Sequence, residues 1–457
     1  MLPEKFIKRM KAMLGESFAE FDAALSSPPV RAIRVNKSKI SPEEFEKIFE
    51  GKIKAIPYAD GGYIPDVQSG LGALAEHHAG MYYCQDPGAM ATVSALDIKP
   101  DFKVLDTCSA PGGKSSQIAD KLASGGFILS NEIVPKRAKI IVGNFERLGI
   151  TNAMVTSLDT KEFPKMFRSY FDLVLCDAPC SGEGMFRKSD EALEDWSEEN
   201  VLACAERQLS ILENCASVVA PSGYLLYSTC TYSLEENEMV VDKFLSAHPE
   251  FSIAEVSEEL KSATVPGITP SGSPRSELAK ARRFYPHVSE GEGQFIALLK
   301  KEENFDELPT ILYKDAAKSP TKQELNIIQS FLSENLDSIP NGRIIKQGEG
   351  FALVMHGMPI PERSVFMPGV MLGEIRGKNF FPHHQLFTSF GKFFKRKAEL
   401  SGEPEKVYKY LRGEEIETDS KISGYAAILY HGASLGGGKI SSGKIKNHYP
   451  KGLRTKG

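Results

Sequence analysis

The chain has 457 residues, 41% hydrophobic and 25% charged, with a formal net charge of -5; that length calls for roughly two to four domains, and the ordinary balance excludes a fibrous or disordered protein. No run approaches the ~20 apolar residues of a membrane span, and the N-terminus MLPEKFIKRMKAMLGESF lacks a signal-peptide core. Seven cysteines without framework spacing fit a reducing cytoplasm, and the absence of C-x-x-C or spaced histidines predicts no metal. In chain order, residues 1–94 read as an α+β segment of helix, extended piece, helix and loop. PPVRAIRVN, Pro28 to Asn36, alternates like a strand, and Gln85-Asp86-Pro87-Gly88 opens the next helix.

From Lys103 strands and helices alternate. KVLDTCS, GFILSNEI, AMVTSLD, FDLVLCDAP and YLLYSTC read as five strands, and Pro135 sits near the start of the helix after the second. Ser233 and Glu236 have capping-box spacing ahead of Met239, Val240 and Val241. RRFYPHVSEGEGQFIALLKK reads as an antiparallel edge pair around Gly291-Glu292-Gly293. This alternation predicts an α/β fold with a doubly wound, mostly parallel sheet over 95–301. KEENFDELPT then looks like a linker within a small mixed segment, 302–377, with strands around RIIKQ and FALVMHG; residues 378–457 read as a small β-rich module.

Charge divides the chain. From Phe351 to Gly457 there are 17 Lys+Arg against 9 Asp+Glu, a surplus of +8, so the overall -5 leaves -13 for residues 1–350. A basic end on an acidic body is the footprint of a polyanion partner, although a solvated terminus has the same composition.

Chemistry gathers where strands end, since ligands of open α/β sheets sit outside the carboxyl ends of the strands. VLDTCSAPGGKSSQIA is strand, glycine-rich turn and helix, a shape that brings backbone amides to an anionic or polar ligand. It is neither a P-loop, because Cys108 stands where the first glycine belongs, nor G-x-G-x-x-G. Glu132, closing the second strand, suits ribose hydroxyls, and Asp159, closing the third, suits an adenine amino group. Asp177-Ala178-Pro179-Cys180 ends the fourth strand and Thr229-Cys230-Thr231 the fifth, so two thiols are expected in one crevice, an arrangement for covalent chemistry. Cys84, Cys176, Cys204 and Cys215 are expected to pack, and Cys108 to be small rather than reactive.

CSAPGGK, DAPCSGEGMFRK, STCTYS and the terminal IKNHYPKGLR together resemble the Nol/Nop/Sun family of RNA 5-cytosine methyltransferases, nearest the bacterial type acting on small-subunit ribosomal RNA. The resemblance implies a Rossmann-like methyltransferase core at 95–301, an α+β RNA-binding domain at 1–94 and a PUA-like RNA-binding module at 378–457. It implies S-adenosylmethionine as cofactor, held by Cys108, Ser109, Ala110, Pro111, Gly112, Gly113, Lys114, Glu132, Arg137, Asp159 and Asp177. Ser109 stands where the family usually has alanine. Cys230 is implied as the nucleophile on carbon 6 of cytosine, Cys180 as the group assisting release, and Asp177 as the partner of the ring nitrogen and amino group. Arg187 and Lys188 are expected to meet RNA phosphate. The implied partner is small-subunit rRNA, naked or in the assembling 30S subunit, and nothing demands more than a monomer.

Other readings stand beside this one. DNA-type 5-cytosine methyltransferases attack from a Pro-Cys turn after the fourth strand, which here carries Cys180; the second thiol at Cys230 favours the RNA-type assignment. Transfer RNA is an alternative substrate. A non-catalytic RNA-binding ribosome-assembly factor would not need both cysteines, Glu132 and Asp177, and a nicotinamide-dependent dehydrogenase would not need paired thiols.

Overall fold

The computed structural model describes residues 2–123, 125–303, 309–355, 357–418 and 423–455. Residues 304–308 of the linker, His356 of FALVMHG and the last two residues of the basic tail lie outside the described residues.

Five short apolar runs form parallel strands: Lys103–Asp106, Phe127–Asn131, Ala153–Thr156, Phe171–Asp177 and Val219–Thr229. Across the sheet their order is fifth, fourth, first, second, third. They lack polar alternation because both faces are covered. Leu105, Leu129 and Val174 face one apolar core, whereas Val104, Ile128 and Leu173 face the other. Chain order reverses between the first and fourth strands, the switch point at which a crevice opens beyond the carboxyl ends.

Gln294–Lys301 adds antiparallel to Val219–Thr229, and Arg282–Phe284 pairs next to it with Arg282 opposite Ile296. The antiparallel pair is therefore present but is not the edge: Val265–Pro266 lies beyond it, and Phe251–Ile253 also pairs with Gln294–Lys301. At the opposite end Val365–Met367 pairs antiparallel with Ala153–Thr156. The segment after the linker thus lends a strand to the central sheet, and its Ile345, Ala352 and Val354 share a core with Phe171 and Val174.

Before the central sheet lies a four-stranded sheet, ordered Ile53–Ala55, Gly62–Pro65, Ile33–Val35, Tyr82–Cys84. The strand expected over Pro28 to Asn36 is only Ile33–Val35. After the central sheet, a five-stranded sheet and the amphipathic helix Pro404–Arg412 form the C-terminal module. The helix buries Val407, Tyr410 and Leu411, spaced to fall on one face. These residues enter one apolar cluster with Ile33, Val35, Phe45 and Tyr82, so the two ends of the chain share a core. Among the described residues no helix is long and apolar enough to cross a membrane.

The expected capping box at Ser233 and Glu236 is not formed. The helix begins later, at Glu238, with Asn237 ahead of it. Ser233 Oγ does accept from the Glu236 amide at 3.4 Å, but the Glu236 carboxylate is drawn away into the site described next.

Candidate active site

One cavity of about 890 Å³ lies beyond the carboxyl ends of the central strands, within the size range of ligand sites. Asn131 holds the ends of the strands together. Its amide donates to Thr107 O at 3.2 Å and Leu158 O at 3.0 Å, and its oxygen accepts from Thr156 Oγ1 at 2.9 Å and the Leu158 amide at 2.8 Å. Every polar group of this buried side chain is thus satisfied, which fixes the rim of the cavity.

Cys108, Ala110, Pro111, Lys114, Glu132, Arg137, Asp159 and Asp177 all line the cavity. Glu132 is buried; its Oε1 accepts from the Val134 amide at 2.9 Å, and its Oε2 lies 3.3 Å from Arg137. Arg137 also donates to Ala110 O at 3.3 Å, bracing the glycine-rich turn. Asp159 opens a short turn, accepting from the Lys161 amide at 3.0 Å. Ile133 and Val134, 58% and 41% exposed, line the same cavity. Acceptors for hydroxyl and amino groups beside an uncovered apolar wall fit an adenosine-bearing cofactor.

Three residues of the turn do not line this cavity. Ser109 is buried, its hydroxyl donating to Asp106 O and its amide to Asn131 O, so it shapes the turn. Gly112, at φ +107°, lies where a Cβ would meet Phe145 at 3.4 Å and Ile141 at 3.5 Å. Gly113 faces Tyr83 in a smaller adjoining recess. Burial pushes the Cys108 thiol up to about 12, in keeping with a small unreactive wall residue.

The other half of the cavity holds the two thiols. Cys180 Sγ and Cys230 Sγ are 3.3 Å apart, and both line the cavity. Asp177 stands beside them, its Oδ2 accepting from Lys114 Nζ at 2.8 Å and its Oδ1 from Ser228 Oγ at 2.6 Å and Gln294 Nε2 at 3.4 Å. The adjacent Cys230 sulfur, then burial, pushes the Cys180 thiol well above its ordinary value. A further carboxyl, Asp106, lies buried beneath the turn; burial raises it to about 7 despite hydrogen bonds from Ser115 and the Cys108 amide.

Two buried carboxylates tie the cysteine loops together. Glu236 accepts from the Ser181 amide at 2.9 Å and Gln208 Nε2 at 2.8 Å. Glu183 accepts from Trp196 Nε1 and Thr231 Oγ1, each at 2.9 Å, and from the Tyr232 amide at 3.0 Å. The Gly184 amide donates to Cys230 O at 2.8 Å, and a Cβ on Gly184 would lie 2.7 Å from that oxygen. Sequence reasoning missed Glu183, Gln208 and the role of Glu236. Glu183 and Glu236 sit in turns after strands, where polar residues also suit helix capping, and Gln208 lies within the helix Glu198–Ala216 with no local signal.

Arg187 is not placed to meet phosphate. It is buried against Glu292 at 2.8 Å and donates to Ala24 O and Gly291 O, so its charge and donors are used internally. Lys188 is bound to Asp86 at 2.7 Å. Cys176, Cys204 and Cys215 are buried, but Cys84 is exposed because it ends an edge strand on its outward face.

Comparison with known proteins agrees with this geometry. The family model described as 16S rRNA methyltransferase RsmB/F matches residues 93–300, that for the N-terminal domain of 16S rRNA methyltransferase RsmF matches 2–87, and that for the methyltransferase RsmF PUA domain matches 397–455. The ribosomal RNA small subunit methyltransferase F of Vibrio vulnificus (strain YJ016) is 30% identical, over 99% of this chain and 97% of that protein. The protein of the same name from Klebsiella pneumoniae (strain 342) is 31% identical, over 99% and 96%. Among solved structures, a methyltransferase homolog protein from Pyrococcus horikoshii superposes with a TM-score of 0.57 at 29% identity, covering 65% of this chain and 95% of that one. Full-length similarity, in a chain whose glycine-rich turn and strand-end acids fit an adenosine-bearing cofactor, is decisive: the chain belongs to the ribosomal RNA small subunit methyltransferase F family.

Proposed function

We propose that this enzyme methylates carbon 5 of a cytosine in small-subunit ribosomal RNA, with Cys230 as nucleophile and Cys180 assisting release. The observation that carries the reading is the pair of sulfurs 3.3 Å apart beside Asp177 in one cavity. The cofactor is S-adenosylmethionine; when bound, it supplies an electrophilic methyl group. Glu132 is the proposed acceptor for its ribose hydroxyls and Asp159 for its amino group, with Ile133 and Val134 against the base.

Carbon 5 of cytosine is a weak nucleophile, and addition of a thiolate to carbon 6 remedies this. The Cys230 thiolate forms the sulfur–carbon 6 bond, shifting the ring electrons towards carbon 5. Asp177 accepts from the amino group, and its ion pair with Lys114 holds the carboxylate in place. After methylation, Cys180 as thiolate takes the carbon 5 proton; those electrons re-form the ring double bond, and the sulfur–carbon 6 bond breaks to return the Cys230 thiolate. The Cys180 thiol is raised chiefly by its contact with Cys230. Once Cys230 is a neutral thioether, that part of the upward push ends, while burial still acts on Cys180.

The target base has to leave its stack to enter the cavity. The C-terminal module and N-terminal sheet, joined through one core, are the proposed RNA-positioning parts. The test is bisulfite sequencing of small-subunit RNA from cells with and without the gene. A cytosine protected only when the gene is present supports the reading; identical protection patterns contradict it.

A further inference from the structure

A second recess, of about 410 Å³, adjoins the catalytic cavity at the boundary with the N-terminal sheet. Pro29, Val30 and Leu71 give it an apolar wall; Arg31 and Lys188 supply its cations. The two spaces adjoin at Asp86. Asp86 lines both, and a smaller recess shares Cys84 and Gln85 with the second recess and Lys114 and Asp177 with the cavity. The second recess therefore lies next to the proposed target-base site, separated from it by the side chains of Asp86 and Lys188.

The cations at this recess differ in availability. Arg187 is spent on Glu292. Lys188 Nζ sits 2.7 Å from Asp86 and 3.5 Å from Glu292, forming the partition between the two spaces. Arg31 is exposed, and among the described residues no carboxylate lies within ion-pair distance of its guanidinium. An apolar wall beside an unpaired guanidinium matches a nucleobase face with its phosphate, since Arg presents a planar fork of donors to phosphate oxygens.

We propose that this recess binds the nucleotide next to the target cytosine on a single-stranded RNA segment, with Arg31 on its phosphate. The inference rests on the RNA reading above and adds a second nucleotide site to it. A flipped base brings its neighbours towards the protein surface, and a recess beside the cavity is placed to hold the adjacent one in line. Arg31 is thus a positioning residue whose phosphate contact sets how the chain threads past Asp86.

The test measures binding of a fluorescein-labelled single-stranded RNA of about twelve nucleotides, random in sequence, by anisotropy at several salt concentrations. Arg31→Glu is expected to weaken binding ~10-fold or more and to lower the salt slope by about 1. Arg31→Lys is expected to restore most of the loss, at unchanged melting temperature and unchanged affinity for S-adenosylmethionine. Lys165→Glu, which reverses an exposed charge elsewhere, is expected to bind like the wild type. Wild-type affinity in R31E, no rescue in R31K, or an equal loss in K165E overturns the proposal. Methyl transfer by the wild type, assayed alongside, judges the reaction separately: its absence contradicts the proposed function, whereas an Arg31 effect on binding reports only on this recess.

Discussion

Gly184 shows how closely the thiol site is built. A side chain there would meet Cys230 O at 2.7 Å and Gly293 O at 2.8 Å, both backbone atoms that cannot swing aside. Gly184→Ala is therefore expected to move the Cys230 loop and cut methyl transfer ~100-fold, the usual penalty for a misplaced reacting group. Affinity for S-adenosylmethionine, whose proposed place is the other half of the cavity, should persist, and isothermal titration beside a methyl-transfer assay separates the two effects. Asp106 makes a second expectation. Its folded-state value is about 7, raised by burial, against about 3.9 for an unfolded aspartate. The native state then holds the proton more tightly, so the contribution of Asp106 to stability is fully present below about pH 4 and is lost as pH rises towards 7. Asp106→Asn should flatten that slope in melting temperatures taken across the range; a slope unchanged by the substitution would contradict the assignment. At this scale the sequence is informative wherever a residue's meaning follows from ending a strand. The shared cavity of Cys180, Cys230, Asp177 and Glu132 is legible on that basis. Glu236 and Gln208 are not, because their partners lie 55 and 28 residues away and only folding brings them together.

Among elements, the helix Pro135–Leu148 shows how a local stop signal becomes a joint. Gly149 ends it with φ +71°, a backbone conformation that glycine tolerates best. A Cβ there would also sit 2.6 Å from Thr388 O and 2.7 Å from Lys39 Nζ. Gly149→Ala thus combines left-handed strain with a clash across the contact to the C-terminal module, at an expected cost of about 1–3 kcal/mol in urea unfolding. The five core strands were readable from their apolar runs, and the helix opened by Asp86 from its Asp-Pro-Gly turn. The start of the helix at Glu238 was not. Ser233 and Glu236 carry the spacing of a cap, but the carboxylate finds stronger partners in Ser181 and Gln208. The same competition removes Arg187 from the RNA surface, since a buried glutamate takes its guanidinium first.

For the whole molecule, the least legible feature is the joining of the two ends. Tyr410, fully buried in the C-terminal helix, donates to Gly437 O at 2.9 Å and packs in one cluster with Ile33, Val35 and Tyr82 of the N-terminal sheet. Amphipathic spacing announces that Val407, Tyr410 and Leu411 face something; it does not announce a partner more than 300 residues earlier. Tyr410→Ala is expected to cost about 3–5 kcal/mol and to lower amide protection in Ile33–Val35 together with the C-terminal sheet. Loss confined to the C-terminal sheet would mean that the two are energetically separate. The arrangement gives the cavity flanking parts set by a shared core.

The central claim is the division of labour between those thiols, and denaturing gel electrophoresis of each cysteine variant incubated with small-subunit RNA and S-adenosylmethionine tests it most directly. The account predicts that Cys180→Ala accumulates a protein–RNA adduct that survives denaturation, whereas Cys230→Ala forms no adduct and transfers no methyl group. An adduct in the Cys230 variant and none in the Cys180 variant would contradict it.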